Sequence, residues 1–277
     1  MKRIPVLSIV LAVAFTVAAA SAAGDGGGPA SILIGGQGVL APDGKLRYVA
    51  LTTGRQTMVS VVRVRGGQVI RWRLVRGYVG VPVVGLDGTT DGISSDGRVL
   101  VLAATPSVSQ SGTASTRFAV IDTRTLRLRT IELPGRWSYD AMSPDGATLF
   151  LVEYLSAGPT PPYRVRAYDF ESRRLLDRII VDRVQKGAVM YGQPVTRATS
   201  PDGRWAYTLY ARARQAPFIH ALDTVRRQAR CIFMPRALAI GKQLALRLRL
   251  DSGELTVRGG RATVAVIDTR TFAVRRR

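Results

Sequence analysis

Apolar residues come along this chain in short runs, such as Leu149-Phe150-Leu151-Val152-Glu153-Tyr154 and Trp205-Ala206-Tyr207-Thr208-Leu209-Tyr210, each closed off by Gly, Pro, Asp or Ser. Short runs rich in β-branched and aromatic residues between such breakers predict strands. A helical period is nowhere sustained long enough to compete. Other stretches alternate: Arg63/Arg65, Arg71/Arg73, Arg127/Arg129 and Arg164/Arg166 place guanidiniums on one face of a strand. In a strand, residues two apart share a face, so these arginines predict a soluble basic rim, able to attract an anionic surface in a salt-sensitive way.

The breakers recur. A Pro-Asp-Gly-like turn stands at Pro42-Asp43-Gly44, Ser95-Asp96-Gly97, Pro144-Asp145-Gly146, Pro201-Asp202-Gly203 and Asp251-Ser252-Gly253, its central residues 53, 49, 57 and 50 positions apart. A second marker keeps step: Val120-Ile121-Asp122-Thr123, Ala167-Tyr168-Asp169-Phe170, Ala221-Leu222-Asp223-Thr224 and Val266-Ile267-Asp268-Thr269. Two markers with one period of about fifty residues indicate a repeat architecture. Each unit reads as four strands, one entering and one leaving each turn. Pro presets the first corner, Asp accepts backbone N–H bonds and Gly takes positive φ, so both markers are scaffold.

The sequence Ser-Pro-Asp-Gly followed by Val-Ile-Asp-Thr-x-Thr resembles the bacterial YVTN-type and WD-repeat-like β-propellers over residues of about 38 to 277. That resemblance implies an all-β propeller of about five four-stranded blades over 31–277, and it implies no particular function, because propellers host binding proteins and enzymes alike. Phe170-Glu171 and Val225-Arg226 depart from the Thr-x-Thr pattern. One more irregular blade fits between Lys186 and Thr196. Ring closure predicts that Ile32-Leu33-Ile34 pairs with the final unit, which ends Phe272-Ala273-Val274. The segments Ser107–Thr116, Ser156–Pro162 and Gln185–Val195 break the period and are expected to project as loops, meeting any ligand together with Asp140 or Arg197.

Charge and the N-terminus add a compartment. Met1-Lys2-Arg3, the apolar run Ile4–Ala20 and Ala20-Ser21-Ala22 match a signal peptide over 1–23. The Gly-rich stretch 24–30 then reads as a flexible leader, and secretion or cell-envelope association is the expected location. The formal net charge is +21, with 36 Arg to 4 Lys. Outside a membrane such a body is drawn to anionic envelope polymers. The basic residues are spread through all units without stacking aromatics, which argues against nucleic acid. Cys231 is the only cysteine, so an intrachain disulfide is excluded and a small buried hydrophobe is expected.

Chemistry is sparse. The only histidine, His220, rules out a multi-histidine metal site, and a Cys–His pair would require Cys231 as its neighbour. Nucleophile-elbow, phosphate-loop, dinucleotide and EF-hand signatures are missing. No cofactor or metal site is expected. Five positions before the centre of each first turn stand Gly38, Asp91, Asp140, Arg197 and Arg247, which the repeat puts at one level on the innermost strands. Asp91, Asp140, Arg197 and Arg247 are therefore the candidate ligand-binding residues at the channel mouth, the competing role being ion pairs that hold neighbouring blades together. The function expected is non-enzymatic binding of a protein or an anionic envelope polymer, with a hydrolase resembling propeller lactonases or glycan-active enzymes as the alternative.

Overall fold

A computed structural model describes residues 31–182, 188–235 and 243–276. The expected signal peptide and leader, and residues 185–187 of the third predicted insertion, lie outside the described residues. Among the described residues there is no α-helix, and the strands form five four-stranded antiparallel sheets and one two-stranded sheet. Among the described residues, no helix is long and apolar enough to cross a membrane.

The first sheet runs β2 (Val39–Leu40), β3 (Leu46–Thr53), β4 (Gln56–Arg63), β5 (Val69–Arg76). In the second, β7 (Val99–Ala103), β9 (Ala114–Asp122) and β10 (Leu128–Pro134) are joined by the short β8 (Ser107–Val108). The third is β11 (Arg136–Met142), β12 (Thr148–Tyr154), β13 (Tyr163–Asp169), β14 (Arg174–Ile180), and the fourth β15 (Gln193–Thr199), β16 (Trp205–Arg212), β17 (Gln215–Asp223), β18 (Gln228–Phe233). The fifth comprises β19 (Leu246–Asp251), β20 (Glu254–Gly259), β21 (Ala262–Asp268) and β22 (Val274–Arg276). Strand order follows chain order, as the repeat predicts, except that β8 lies beside β7 on the same edge of β9.

Sheets stack face to face, which explains the runs without alternation. Six of the seven residues of β12 are buried, because this strand has a neighbouring sheet on each face. Strand β10, at an outer edge, alternates instead, with Ile131 and Leu133 turned inward. Four apolar clusters glue the first sheet to the second, the second to the third, the third to the fourth and the fourth to the fifth. Among the described residues, no apolar cluster, hydrogen bond or ion pair joins the fifth sheet to the first.

The two sequence markers are bonded to each other, which is why they share a period. Thr123 Oγ1 donates to the Gly97 carbonyl (2.6 Å), Thr224 Oγ1 to Gly203 (3.0 Å) and Thr269 Oγ1 to Gly253 (2.7 Å). In the third sheet Phe170 replaces the threonine; its N–H still donates to Ala147, while its ring packs under Arg129. Within the first turn, Ser94, Ser143 and Ser200 donate to Asp96, Asp145 and Asp202, and each Asp accepts a backbone N–H two residues on. These turns also touch one another around the axis. A Cβ added to Gly203, at φ +70°, would lie 1.6 Å from Ser95 Oγ of the second sheet. Asp251-Ser252-Gly253 differs from the other four: Asp251 pairs directly with Glu254, leaving a two-residue hairpin with positive φ at Ser252 and Gly253.

One pairing departs from expectation. β1 (Ser31–Leu33) does not pair with the last strand; it lies antiparallel to β6 (Val81–Val83), with Ile32 opposite Pro82. Ile32 and Leu33 are thereby packed against the clusters on either side of the second sheet. β22 instead pairs only with β21 and closes the fifth sheet from within.

Candidate functional site

Three of the four candidate residues meet on the axis. The innermost position of the second sheet is held by Asp91-Gly92-Ile93, which pairs through Ile93 with Leu100. Asp140 sits at a bulge in β11, where the register shifts between Tyr139 and Ala141. A bulge admits one extra residue and re-aims its side chain. Arg197, in β15, reaches across: Nη1 donates to the Asp140 carbonyl, Nη2 to Asp140 Oδ1, and Nη1 lies 3.6 Å from Asp91 Oδ2. Its Nε donates to Thr208 Oγ1 on the adjoining strand (2.9 Å). The Arg197 and Asp140 side chains are 3% exposed and that of Asp91 20%, so only Asp91 is open to solvent.

This is one guanidinium shared by two carboxylates from two other sheets. Asp91 Oδ1 also accepts from Tyr139 Oη (3.1 Å) and from the Gly92 N–H (2.7 Å). Burial pushes the Asp91 carboxyl up from its ordinary value, against the pull of Arg197. Burial, with the Asp91 carboxylate beside it, raises Tyr139 well above an ordinary phenol. For Arg197 burial acts downward, but Asp140 and Asp91 outweigh it and hold the guanidinium above its usual value. Asp140 Oδ2 is buried without a hydrogen-bond partner. The cluster thus ties the second, third and fourth sheets together and keeps one acceptor in reserve for a hydrogen-bond donor.

Arg247 goes elsewhere. It is half exposed and lies 3.9 Å from Asp87, in a segment whose Leu86 and Asp87 N–H groups donate to Pro194 and Val195 of β15. Gly38 lines the same level: its carbonyl accepts from Thr90 Oγ1 (3.0 Å), and at φ +59° a Cβ would fall 2.0 Å from the Tyr48 carbonyl. Counting residues back from the turns found the level of the cluster, but not Tyr139, Thr208 or Asp87. Tyr139 carried one usable signal, its position directly before Asp140. Asp87 carried none, since the segment that delivers it crosses between sheets outside the repeat.

His220 and Cys231 are cross-strand partners in β17 and β18. The neighbourhood that a thiol–imidazole pair needs is therefore present, but its electrostatics are wrong. Both are buried, burial pushes the Cys231 thiol up to about 12, and burial pushes the His220 imidazole down. A neutral thiol beside a neutral imidazole is not an activated nucleophile. His220 Nδ1 lies 3.2 Å from Met190 Sδ and its Nε2 has no partner. Among the described residues, no three His, Cys, Asp or Glu side chains converge to hold a metal ion.

The insertions leave the sheets at the ends opposite the Pro-Asp-Gly turns. Ser107–Thr116 is largely exposed and folds back as the β8–β9 hairpin, in which Ser107 pairs with Ser115. Residues 156–160 are mostly exposed, and Gln193 Nε2 donates to the Pro159 carbonyl (3.3 Å), so the second insertion touches the described end of the third.

No protein-family model and no curated protein matches this sequence. Solved structures do resemble it. An acylaminoacyl peptidase in complex with Z-Gly-Gly-Phe-chloromethyl ketone is 11% identical with a TM-score of 0.50, matching 88% of this chain and 38% of its own. TolB from Acinetobacter baumannii is 12% identical with a TM-score of 0.46, over 85% of this chain and 52% of its own. A putative TolB from Agrobacterium tumefaciens is 15% identical with a TM-score of 0.44, over 86% and 78%. The chain spans about half the length of the first TolB and little more than a third of the peptidase. At these identities the likeness concerns fold alone, and the five four-stranded antiparallel sheets are consistent with a β-propeller.

Proposed function

We propose that this chain is an exported binding module, a propeller of about five blades that docks a protein partner at the cell envelope without catalysing a reaction. The observation that carries this reading is the exposure of large apolar side chains on the first sheet, chiefly on its outer strand. Leu40, Trp72 and Leu74 are 44%, 58% and 42% exposed. Trp72 and Leu74 alternate along β5 with Arg71, Arg73 and Val75, which are turned toward the second sheet. Exposed large apolar side chains two positions apart on an outer strand form an apolar patch of the kind that marks an interaction surface. Arg47 on β3 and Arg76 on β5 accompany them, and the fifth sheet turns Arg247 and Arg249 outward. A partner with an apolar centre and an acidic rim complements that surface.

The remaining polar groups support binding over hydrolysis. Asp140 and Arg197 are spent on each other, and His220 and Cys231 are buried and neutral. The cell-envelope location rests on the signal-peptide pattern of residues 1–23. To test the reading, immobilised mature protein is challenged with envelope extract at low and high salt. One species retained at high salt, and released at least roughly tenfold more readily by the Trp72→Ser/Leu74→Ser variant, is the expected result. Retention that the variant leaves unchanged, or that salt alone abolishes, overturns it.

A further inference from the structure

A second recognition site lies on the rim of the fourth sheet, away from the axis and from the first sheet. A pocket of about 590 Å³ opens there, walled by the end of β14, the start of β18 and the Asp268–Phe272 turn of the fifth sheet. That volume is typical of small-ligand pockets. Its walls carry Arg178, Arg204, Arg226, Arg227, Arg230 and Arg270, against two carboxylates, Asp182 and Asp223. Both carboxylates are engaged. Asp223 accepts from Arg204 Nη2 (2.9 Å) and from the Val225 and Arg226 N–H groups, and Asp182 accepts the Cys231 N–H (2.8 Å). Arg227 is paired outward to Asp169 at 3.4 Å. Arg178, Arg226, Arg230 and Arg270 make no ion pair among the described residues.

The apolar part of the pocket shows which kind of anion fits. Trp205 and Phe272 meet edge to face at 5.4 Å. Their faces are already occupied: the Arg204 guanidinium lies 5.7 Å above Trp205 and that of Arg230 5.9 Å above Phe272. Arg204 spends its Nε and Nη2 on Asp223, whereas Arg230, with its flat face satisfied by the ring, keeps its N–H fork for a ligand. The aromatic pair therefore aims guanidiniums, and its rings already carry partners: Arg204 and Tyr207 on Trp205, and Arg230 on Phe272.

We propose that this pocket binds a short linear phosphoanhydride, a tripolyphosphate-like anion. Six arginines set against Asp182, Asp223 and the Asp169 that pairs with Arg227 leave three surplus positive charges, which call for a ligand carrying several negative charges on closely spaced oxygens. Arginine forks match phosphate oxygens two at a time, and a chain of phosphates brings such oxygens in series. Because the ring faces are taken, the phosphates alone are recognised, and a nucleoside attached to them adds nothing.

The test is calorimetric titration of the full mature chain with tripolyphosphate at physiological ionic strength, with pyrophosphate, citrate and adenosine diphosphate as separate arms. The variant Arg226→Gln/Arg270→Gln removes two exposed arginines that make no ion pair, so folding is not at stake. Arg63→Gln/Arg65→Gln removes the same charge from a distant rim. One tripolyphosphate per chain is expected, weakened at least roughly tenfold by the first variant and less than about twofold by the second. Adenosine diphosphate should bind no tighter than pyrophosphate. Equal loss in both variants, or many weak equivalents, shows bulk charge and overturns the site. Citrate binding as tightly as tripolyphosphate overturns the phosphate assignment, and a nucleotide binding much more tightly than pyrophosphate overturns recognition of the phosphates alone. None of these arms depends on the protein-docking face of the first sheet.

Discussion

Four residues without a glycine's freedom hold left-handed backbone at the same place in successive sheets: Leu126 (φ 57°), Arg173 (φ 56°), Arg227 (φ 54°) and Phe272 (φ 60°). Each stands four positions after the Asp of the second marker, whose carboxylate binds the two or three intervening donors, as Asp122 does with the Arg124 and Thr125 N–H groups. The side chain at the fourth position is strained, because an L-residue there crowds its own carbonyl. Leu126 and Phe272 recover that strain by packing into the clusters beside them. Arg173 is exposed, and neither a hydrogen bond nor an ion pair of its side chain is found among the described residues. Arg173→Gly is therefore expected to stabilise the protein by about 0.5–1 kcal/mol, read as a higher denaturant midpoint at constant slope. A lower midpoint would show that the arginine makes a contact worth more than the backbone strain. At this scale the turns were legible in the sequence, since Asp, Thr and Gly act on neighbours a few residues away. The Thr-to-Gly bonds between the two turns were not, because they link residues about twenty positions apart.

Elements repeat where local chemistry repeats, and the order of strands in each sheet followed from the doubled period. What the period did not specify was which edge an extra strand would choose. Ile32-Leu33 carries the same alternation as any short strand, and β6 competes with the final sheet for it. β6 wins because Val81 and Val84 already sit in apolar clusters that Ile32 and Leu33 extend. The same limit applies to the axis. Five positions before each turn centre is an innermost strand, and that sufficed to bring out Asp91, Asp140 and Arg197. Whether such residues touch depends on bulges, and the Asp140 bulge has no signature in the residues around it. In the fifth unit the hairpin is shorter than the others, and Arg247 ends half exposed and separate from the cluster.

Across the whole molecule, the Asp91–Arg197–Asp140 cluster is the polar counterpart of the apolar seams, joining three sheets at the axis. Breaking a buried ion pair strands the remaining charge. Asp140→Ala is accordingly expected to cost about 3–5 kcal/mol, while Asp140→Leu with Arg197→Met removes both charges and should cost less than the single change. Chemical denaturation of the two variants decides the point. A double variant that is less stable than Asp140→Ala would mean that the cluster's hydrogen bonds to Thr208 and to the Asp140 carbonyl outweigh the stranded charge.

That no seam joins the fifth sheet to the first among the described residues has one more consequence, which concerns time rather than shape. A closed ring loses all its seams together, but a row of sheets with two ends behaves like a solenoid, in which each unit is held only by its neighbours. Opening then starts where a sheet has one neighbour and proceeds inward. Amide hydrogens of β3, β4, β20 and β21 should exchange with solvent well before those of β12 and β16, although all four outer-sheet strands are fully paired within their own sheets. Hydrogen exchange followed by mass spectrometry gives the order directly, and uniform protection across the five sheets would show that the ends are tied. A protein that frays from two ends is most easily remodelled there, so a partner seated on Trp72 and Leu74 would also act as a clasp that slows the protein's exchange clock from one end.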